Sequence, residues 1–331
     1  MYNAHFGLSR EPFGPTPDPA FFFMTSQHRE AVSSITYCIL ERRGFAALIS
    51  RPGMGKTSVI LHLIEAMRGQ ASIALLVYPY LEASSVLESI FRSLGLSLEP
   101  SLSKNYQKFY DFLLETEALR KTCVVIVDEA QGLSSDALEA LRILSNFETA
   151  NQKLVQIIFV GQPGLAHTLA SPVLEQLRQR IVIVARLGPL SPPDVEHYVK
   201  HRLTVAGCAQ LPFSRDSLAA IAEHSHGIPR NINTFCFASM TLAFALGAKR
   251  VGLEHVSETI RDLDFGSFTQ AVAQATASRP LPPPELELVQ SVPGITKRTR
   301  VSIRHVFEAA MMASLAAAAT IFIVVVTLER L

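Results

Sequence analysis

The sequence predicts a three-layer α/β fold with a mostly parallel sheet, followed by a smaller all-helical domain. Three observations carry this. Short apolar runs alternate with helical stretches from Phe45 to Ala185, the pattern of strand–helix–strand units. Cys123–Val127 is apolar without a break, as a strand buried on both faces must be. After Pro192 the strands stop and only helical patterns follow. The length of 331 residues favours about two domains, and a hydrophobic share of 48% excludes a mostly disordered chain.

Taken in order, residues 1–26 are rich in Pro and Phe and read as irregular. Ser26 is the expected cap of a helix over Gln27–Arg42. Phe45–Ile49 is the first strand, and it stops at the glycine-bearing stretch Ser50–Gly55. A helix follows from about Lys56 to Met67, then a strand at Ser72–Val77 and helices at Ser84–Leu94 and Tyr106–Arg120. Cys123–Val127 is the third strand, Ser135–Ala150 a helix and Val155–Val160 the fourth strand. Pro172–Arg178 is a helix and Ile181–Ala185 the fifth strand. The second domain holds helices at Pro193–Ala206, Ser214–His224, Pro229–Leu246 and Glu254–Leu263.

A net charge of +1 argues against a protein that coats nucleic acid by bulk charge. Cys38, Cys123, Cys208 and Cys236 lie far apart, so neither a disulfide scaffold nor a structural zinc site is expected. Reduced thiols in the cytosol fit this spacing. The N-terminus lacks the basic and apolar regions of a secretory signal. Residues 266–308 form a linker, Pro-rich at first and then basic through Lys297, Arg298, Arg300 and Arg304. Ala309–Leu328 is 20 residues without a charge, enough for a helix to cross a hydrocarbon core of about 30 Å. A single membrane-spanning helix is expected at 309–328, and the basic run before it places the N-terminal bulk in the cytoplasm.

Ser50-Arg-Pro-Gly-Met-Gly-Lys-Thr57 sits between a strand and a helix and fits the phosphate-loop template at Gly55, Lys56 and Thr57, with Ser50 at the first glycine. Gly53 and Gly55 allow backbone N–H groups to turn inward onto phosphates, and the following helix N-terminus adds partial positive charge. A lysine at that end opposes the helix dipole, an objection that a bound polyphosphate removes. The expected nucleotide-binding set is Ser50, Pro52, Gly53, Met54, Gly55, Lys56, Thr57 and Ser58. Lys56 is expected on the β- and γ-phosphates of ATP and Thr57 on Mg2+.

Asp128 and Glu129 end the third strand. Asp128 is expected to hold Mg2+ and Glu129 to polarise the attacking water. Gln162, at the end of the fourth strand, orients that water or senses the γ-phosphate. Leu177-Arg178-Gln179-Arg180 precedes the fifth strand, and Arg180, with Arg178 as second choice, is the expected arginine finger into a neighbouring subunit's ATP. Arg230 opens a helix after Pro229, again at the end where the dipole disfavours a cation, and is assigned to the phosphates from the second domain. His197 and His201 are spaced i, i+4 but lack a third ligand, so they read as a solvated face.

The segments MYNAHFGLSREPFGPTPDPAFFF, HREAVSSITYCILERRGFAALIS, DEAQ, FVGQPGL, LRQRI, GPLSPPDVEHYVKHRLTVAG and HGIPRNINTFC, in this order over residues 1–264, resemble the ExeA-like (general secretion pathway protein A) branch of AAA+ ATPases. Relatives accompany exosortase and polysaccharide-export loci, and TnsC-type transposition ATPases are more distant. The resemblance implies strand order 5-1-4-3-2 with a helical lid. It makes Gln162 the first sensor, Arg180 the finger and Arg230 the second sensor, and it places the PF/PDP segment near the adenine. It divides the chain into an α/β nucleotide-binding domain over 1–190, including the N-terminal segment, a lid over 191–265, the linker and the span. Ser50 and Arg51 depart from the pattern. ExeA itself carries a periplasmic peptidoglycan-binding region after its membrane helix; this sequence ends at Leu331, so no direct cell-wall role is implied.

Three functions are compatible with these residues. The first is a homo-oligomeric ATPase at the bacterial inner membrane that assembles or remodels an envelope partner of an export system. The second is a DNA-associated ATP switch, disfavoured by the neutral charge and the apolar span. The third is a nucleotide-dependent scaffold with little turnover.

Overall fold

A computed structural model describes residues 2–77 and 82–263. Five strands form one sheet: β1 (Phe45–Ser50), β2 (Ala71–Leu76), β3 (Thr122–Val127), β4 (Val155–Gly161) and β5 (Ile181–Leu187). Their order is β2-β3-β4-β1-β5 and every pairing is parallel, the expected 5-1-4-3-2 order read from the other edge. Register aligns Ile49 with Gly161 and Val127 with Phe159. The carboxyl ends of β1, β3 and β4 therefore share one edge, where Ser50 ends β1 and Asp128 and Gln162 lie just beyond β3 and β4. In an open parallel sheet this edge is where ligands bind.

The described helices are α1 (Tyr2–His5), α2 (Ser26–Leu40), α3 (Lys56–Ala66), α4 (Ala83–Leu94), α5 (Leu102–Ala118), α6 (Ser135–Leu144), α7 (Pro163–Leu169), α8 (Glu175–Arg178), α9 (Pro192–Val205), α10 (Arg215–His224), α11 (Pro229–Ala245) and α12 (Leu253–Leu263). Each central strand alternates its side chains between the sheet's two apolar cores. Ala46, Leu48, Val124, Ile126, Ile158 and Val160 face α2 and α3. Phe45, Ala47, Val125, Val127, Ile157 and Phe159 face the layer of α4, α5 and α6. This gives the three layers and explains why β1, β3 and β4 are buried throughout.

A separate core joins α9 to α12 through Val195, Val199, Leu218, Ile221, Ile232, Met240 and Val256. Leu8, Phe13 and Phe21 of the N-terminal segment belong to this helical core. The segment was expected with the α/β domain, but its apolar anchors are in the lid.

Four local expectations change. Thr25, not Ser26, caps α2, its hydroxyl accepting from the His28 N–H at 3.3 Å. The helix expected over Ser135–Ala150 ends at Leu144, and the chain then turns so that Glu148 bridges Lys153. α7 arises at Pro163, where proline sits well in a first turn. The segment expected as one helix over Pro172–Arg178 is a 3₁₀ turn at Pro172–Leu174 followed by α8. Among the described residues no helix is long and apolar enough to cross a membrane. The expected span Ala309–Leu328 and the linker before it lie outside the described residues.

Candidate functional site

The phosphate loop leaves β1 at Ser50 and enters α3 at Lys56. Gly53 and Gly55 have φ of 81° and 93°, a region that side chains with a Cβ disfavour. A Cβ on Gly53 would come within 2.9 Å of the Arg230 Cβ and 3.0 Å of Ile228 Cγ2. The Arg230 N–H donates to the Gly53 carbonyl at 3.2 Å, so the loop is pressed against the start of α11. No side chain caps α3, whose opening N–H groups remain available to an anion.

Ser50 is buried and donates its hydroxyl to the Arg51 carbonyl at 3.3 Å, so the missing glycine is accommodated within the loop. The Arg51 side chain is exposed. Met54 sends its side chain into the α2–α3 core, leaving its backbone to the loop. Lys56 is 6% exposed, and its Nζ donates to the Ser50 carbonyl at 3.3 Å. Burial holds its pKa below the ordinary lysine value; Glu129 and Asp128 oppose that shift and Arg230 adds to it. A buried cation with a carbonyl as its hydrogen-bond partner, at a helix N-terminus, is poorly compensated by the protein alone. This residue set fits a polyphosphate.

At the end of β3, Asp128 Oδ1 accepts from the Glu129 N–H at 2.9 Å. Burial pushes the Asp128 carboxyl up, Glu129's charge adds to this, and the Glu129 N–H and Lys56 pull it down. Glu129 has φ of 51°, a strained value for a residue with a side chain. Its Oε2 accepts from Gln162 Nε2 at 3.0 Å and from Gln131 Nε2 at 2.5 Å. Burial raises the Glu129 carboxyl, but these two amides together with Lys56 and Arg230 outweigh it and hold the group below its ordinary value. Thr57 and Asp128 offer hard oxygen donors suited to Mg2+, which takes its remaining ligands from phosphates and water.

Gly53, Gly55, Lys56, Thr57 and Ser58 line one cleft of about 660 Å³ together with Glu129 and Gln162, while Ser50, Met54 and Asp128 are not among its lining residues. Pro229, Arg230 and Asn233 of α11 face them, and the N-terminal segment closes the side with Phe13, Gly14, Pro15, Thr16 and Pro17. A smaller aromatic recess adjoins the loop at Gly55 and Ser58, lined by Phe21, Phe22, Phe23, His28 and Tyr198. Arg202 lines both. It donates to the Pro12 carbonyl through Nε at 2.5 Å and to the Tyr198 hydroxyl through Nη1 at 2.8 Å, and it lies 4.9 Å from the Phe21 ring centroid. Sequence reasoning missed Gln131, Asn233 and Arg202. The available signal for Arg202 was its i, i+4 spacing from Tyr198 on one helix face.

Arg180 is not in the cleft. Its Nη1 donates to Ser145 Oγ at 2.6 Å and Asn146 Oδ1 at 2.8 Å, just past the end of α6. Arg178 is exposed and donates to the Ala170 carbonyl. His197 is exposed as expected, but His201 is half-buried, its ring 5.6 Å from that of Phe23. Among the described residues no group of three or more His, Cys, Asp and Glu could hold a metal.

Residues 39–169 match the AAA domain family. The chain is 38% identical over 253 residues to the General secretion pathway protein A of Aeromonas hydrophila, covering 76% of this chain and 46% of that one. The α/β part of the chain is thus similar to AAA domains. The chain spans about half the length of the curated relatives it matches. In fold, the chain is similar to Cdc6p from Pyrobaculum aerophilum, with a TM-score of 0.60 and 17% identity over 76% of this chain and 70% of that one. It is also similar to the ORC2 protein of Aeropyrum pernix, with a TM-score of 0.59 and 14% identity over 76% and 71%.

Proposed function

We propose that the protein is an ATP-hydrolysing assembly factor that works as a homo-oligomer at the bacterial inner membrane and serves a secretion or envelope-export system. The single observation that carries the ATPase chemistry is the convergence of Lys56, Glu129, Gln162 and Arg230 on one cleft beside the two glycines of the phosphate loop.

The residues divide the work. Gly53 and Gly55 open the backbone to phosphate oxygens, and the α3 N-terminus adds its partial charge. Lys56 sits on the β- and γ-phosphates, where its desolvation is offset. Arg230 approaches the same phosphates from the lid. Thr57 and Asp128 would hold Mg2+, which when bound neutralises phosphate charge and orients the leaving group. Glu129 accepts the water proton, and Gln162, bonded to Glu129, holds that water in line. Arg180 points elsewhere in its own chain and is assigned to the neighbour's phosphates. The aromatic recess receives the base.

The membrane and export roles rest on the likeness to General secretion pathway protein A and on the uncharged stretch 309–328. Nucleotide binding is tested by Lys56→Ala, which removes the counter-charge of the β- and γ-phosphates. Titration with a fluorescent ATP analogue should show affinity reduced by at least about tenfold. Unchanged affinity would place the nucleotide somewhere other than this cleft.

A further inference from the structure

Gln131 sits between two residues with assigned roles and has none of its own. It lies in the single 3₁₀ turn Ala130–Gly132 that follows Glu129. Its Nε2 donates to Glu129 Oε2 at 2.5 Å, and its Oε1 accepts from the Gln162 backbone N–H at 2.9 Å. Gln162 Nε2 donates to the same Glu129 Oε2 at 3.0 Å. The Gln131 amide therefore spans from the carboxylate to the backbone just beyond β4. Its orientation is forced, because an ionised carboxylate only accepts and a backbone N–H only donates. The sheet makes room for it. A Cβ on Gly161 would lie 2.8 Å from Gln131 Oε1 and 2.9 Å from Leu165 Cδ2, so glycine at the end of β4 leaves the amide uncrowded where it reaches the Gln162 N–H.

A free glutamate side chain samples several rotamers, and a displacement of about 1 Å in a reacting group costs on the order of 10²-fold in rate. Two amide donors fix Glu129 Oε2. Oε1 accepts no bond among the described residues and is left for a water in the cleft. We propose that Gln131 is a positioning residue for hydrolysis, whose one amide ties the seating of Gln162 to the aim of Glu129. The inference rests on Glu129 being the base.

The test uses the full-length protein. Gln131→Met keeps the shape and loses both bonds. Gln131→Glu keeps the acceptor for the Gln162 N–H and loses the donor to Glu129. Both should lower kcat about 10- to 100-fold, leave ATP affinity within about twofold, and leave thermal unfolding without nucleotide unchanged. If the amides act as one unit, Gln131→Met combined with Gln162→Ala should lose no more than the worse single variant. Native kcat, affinity falling in step with kcat, or losses that multiply would each overturn the proposal. Glu129→Gln separates the two layers. If it stalls while Gln131→Met turns over normally, only the coupling is wrong. If it turns over at the native rate, the base assignment has failed and the coupling falls with it.

Discussion

Glu129 shows how a single residue's backbone decides the chemistry of its side chain. Its φ of 51° turns the carboxylate back toward Gln162 and Gln131 rather than out along the strand. His28 shows the complementary case of a residue set by burial. It is 5% exposed, its Nδ1 is 2.7 Å from Thr25 Oγ1, and its Nε2 would be 3.4 Å from a Cβ on Gly55. Burial lowers its pKa below the ordinary 6.5, and the Met54 backbone opposes that only in part. The folded state therefore binds fewer protons than the unfolded state between the lowered value and 6.5. The stability this contributes is present above 6.5 and is lost as pH falls toward the lowered value. Thermal unfolding followed from pH 7.5 to 5 should show the native protein losing stability. His28→Gln should lose less over the same range; an equal loss in both would show that His28 is not the group responsible. Lys56, Thr57, Asp128 and Glu129 were legible in the sequence because a loop between strand and helix and an acidic strand end are local patterns. Gln131 and Arg202 were not legible, because their roles depend on Gly161 and on Pro12, which are distant in sequence.

At the scale of elements, the strands were read within one or two residues because unbroken apolar runs have no alternative in a sheet covered on both faces. The helix errors have local causes. Ser145 bonds back into its own turn, its Oγ donating to the Arg142 carbonyl at 2.6 Å, and the helix stops before the Glu148–Lys153 turn. α7 was hidden because Gln162-Pro163-Gly164 reads as a loop, although proline is suited to the position it takes. The segment from α8 into β5 carries Arg180, which is anchored at the end of α6 and stays out of its own cleft. The proposed function assigns an arginine held there to a neighbour's nucleotide. Arg180→Ala and Lys56→Ala should each be nearly inactive alone. Mixed together they should recover part of the activity, since one mixed interface keeps both groups. No recovery, with turnover independent of concentration, would point to a monomeric switch.

Among the described residues, the parallel sheet is joined to the helices α9–α12 through two contacts that the linear sequence does not announce. The N-terminal segment plants Leu8, Phe13 and Phe21 in the lid core while lining the cleft with Phe13–Pro17. The Arg230 N–H ties α11 to the Gly53 carbonyl. Both are long-range contacts, which explains why topology was legible from motif order while the allegiance of residues 1–26 was not. Membrane attachment belongs to this scale. Fractionation of cells expressing the full chain should place it with the membranes. Val324→Arg, nearer the end of that stretch and so costing less than the roughly 2.5–3.5 kcal/mol of an arginine at the centre of a span, should shift part of it to the soluble fraction. Native protein found soluble would remove the anchor from the account.

The central claim is that the cleft hydrolyses ATP with Glu129 as the base, and Glu129→Gln tests it most directly. The substitution keeps the size of the side chain and removes its ability to take a proton. Measured side by side, ATP binding should remain within a few-fold of native while turnover falls at least about 10²-fold, the usual worth of a positioned base. Turnover at the native rate with native binding would contradict the assignment of this site.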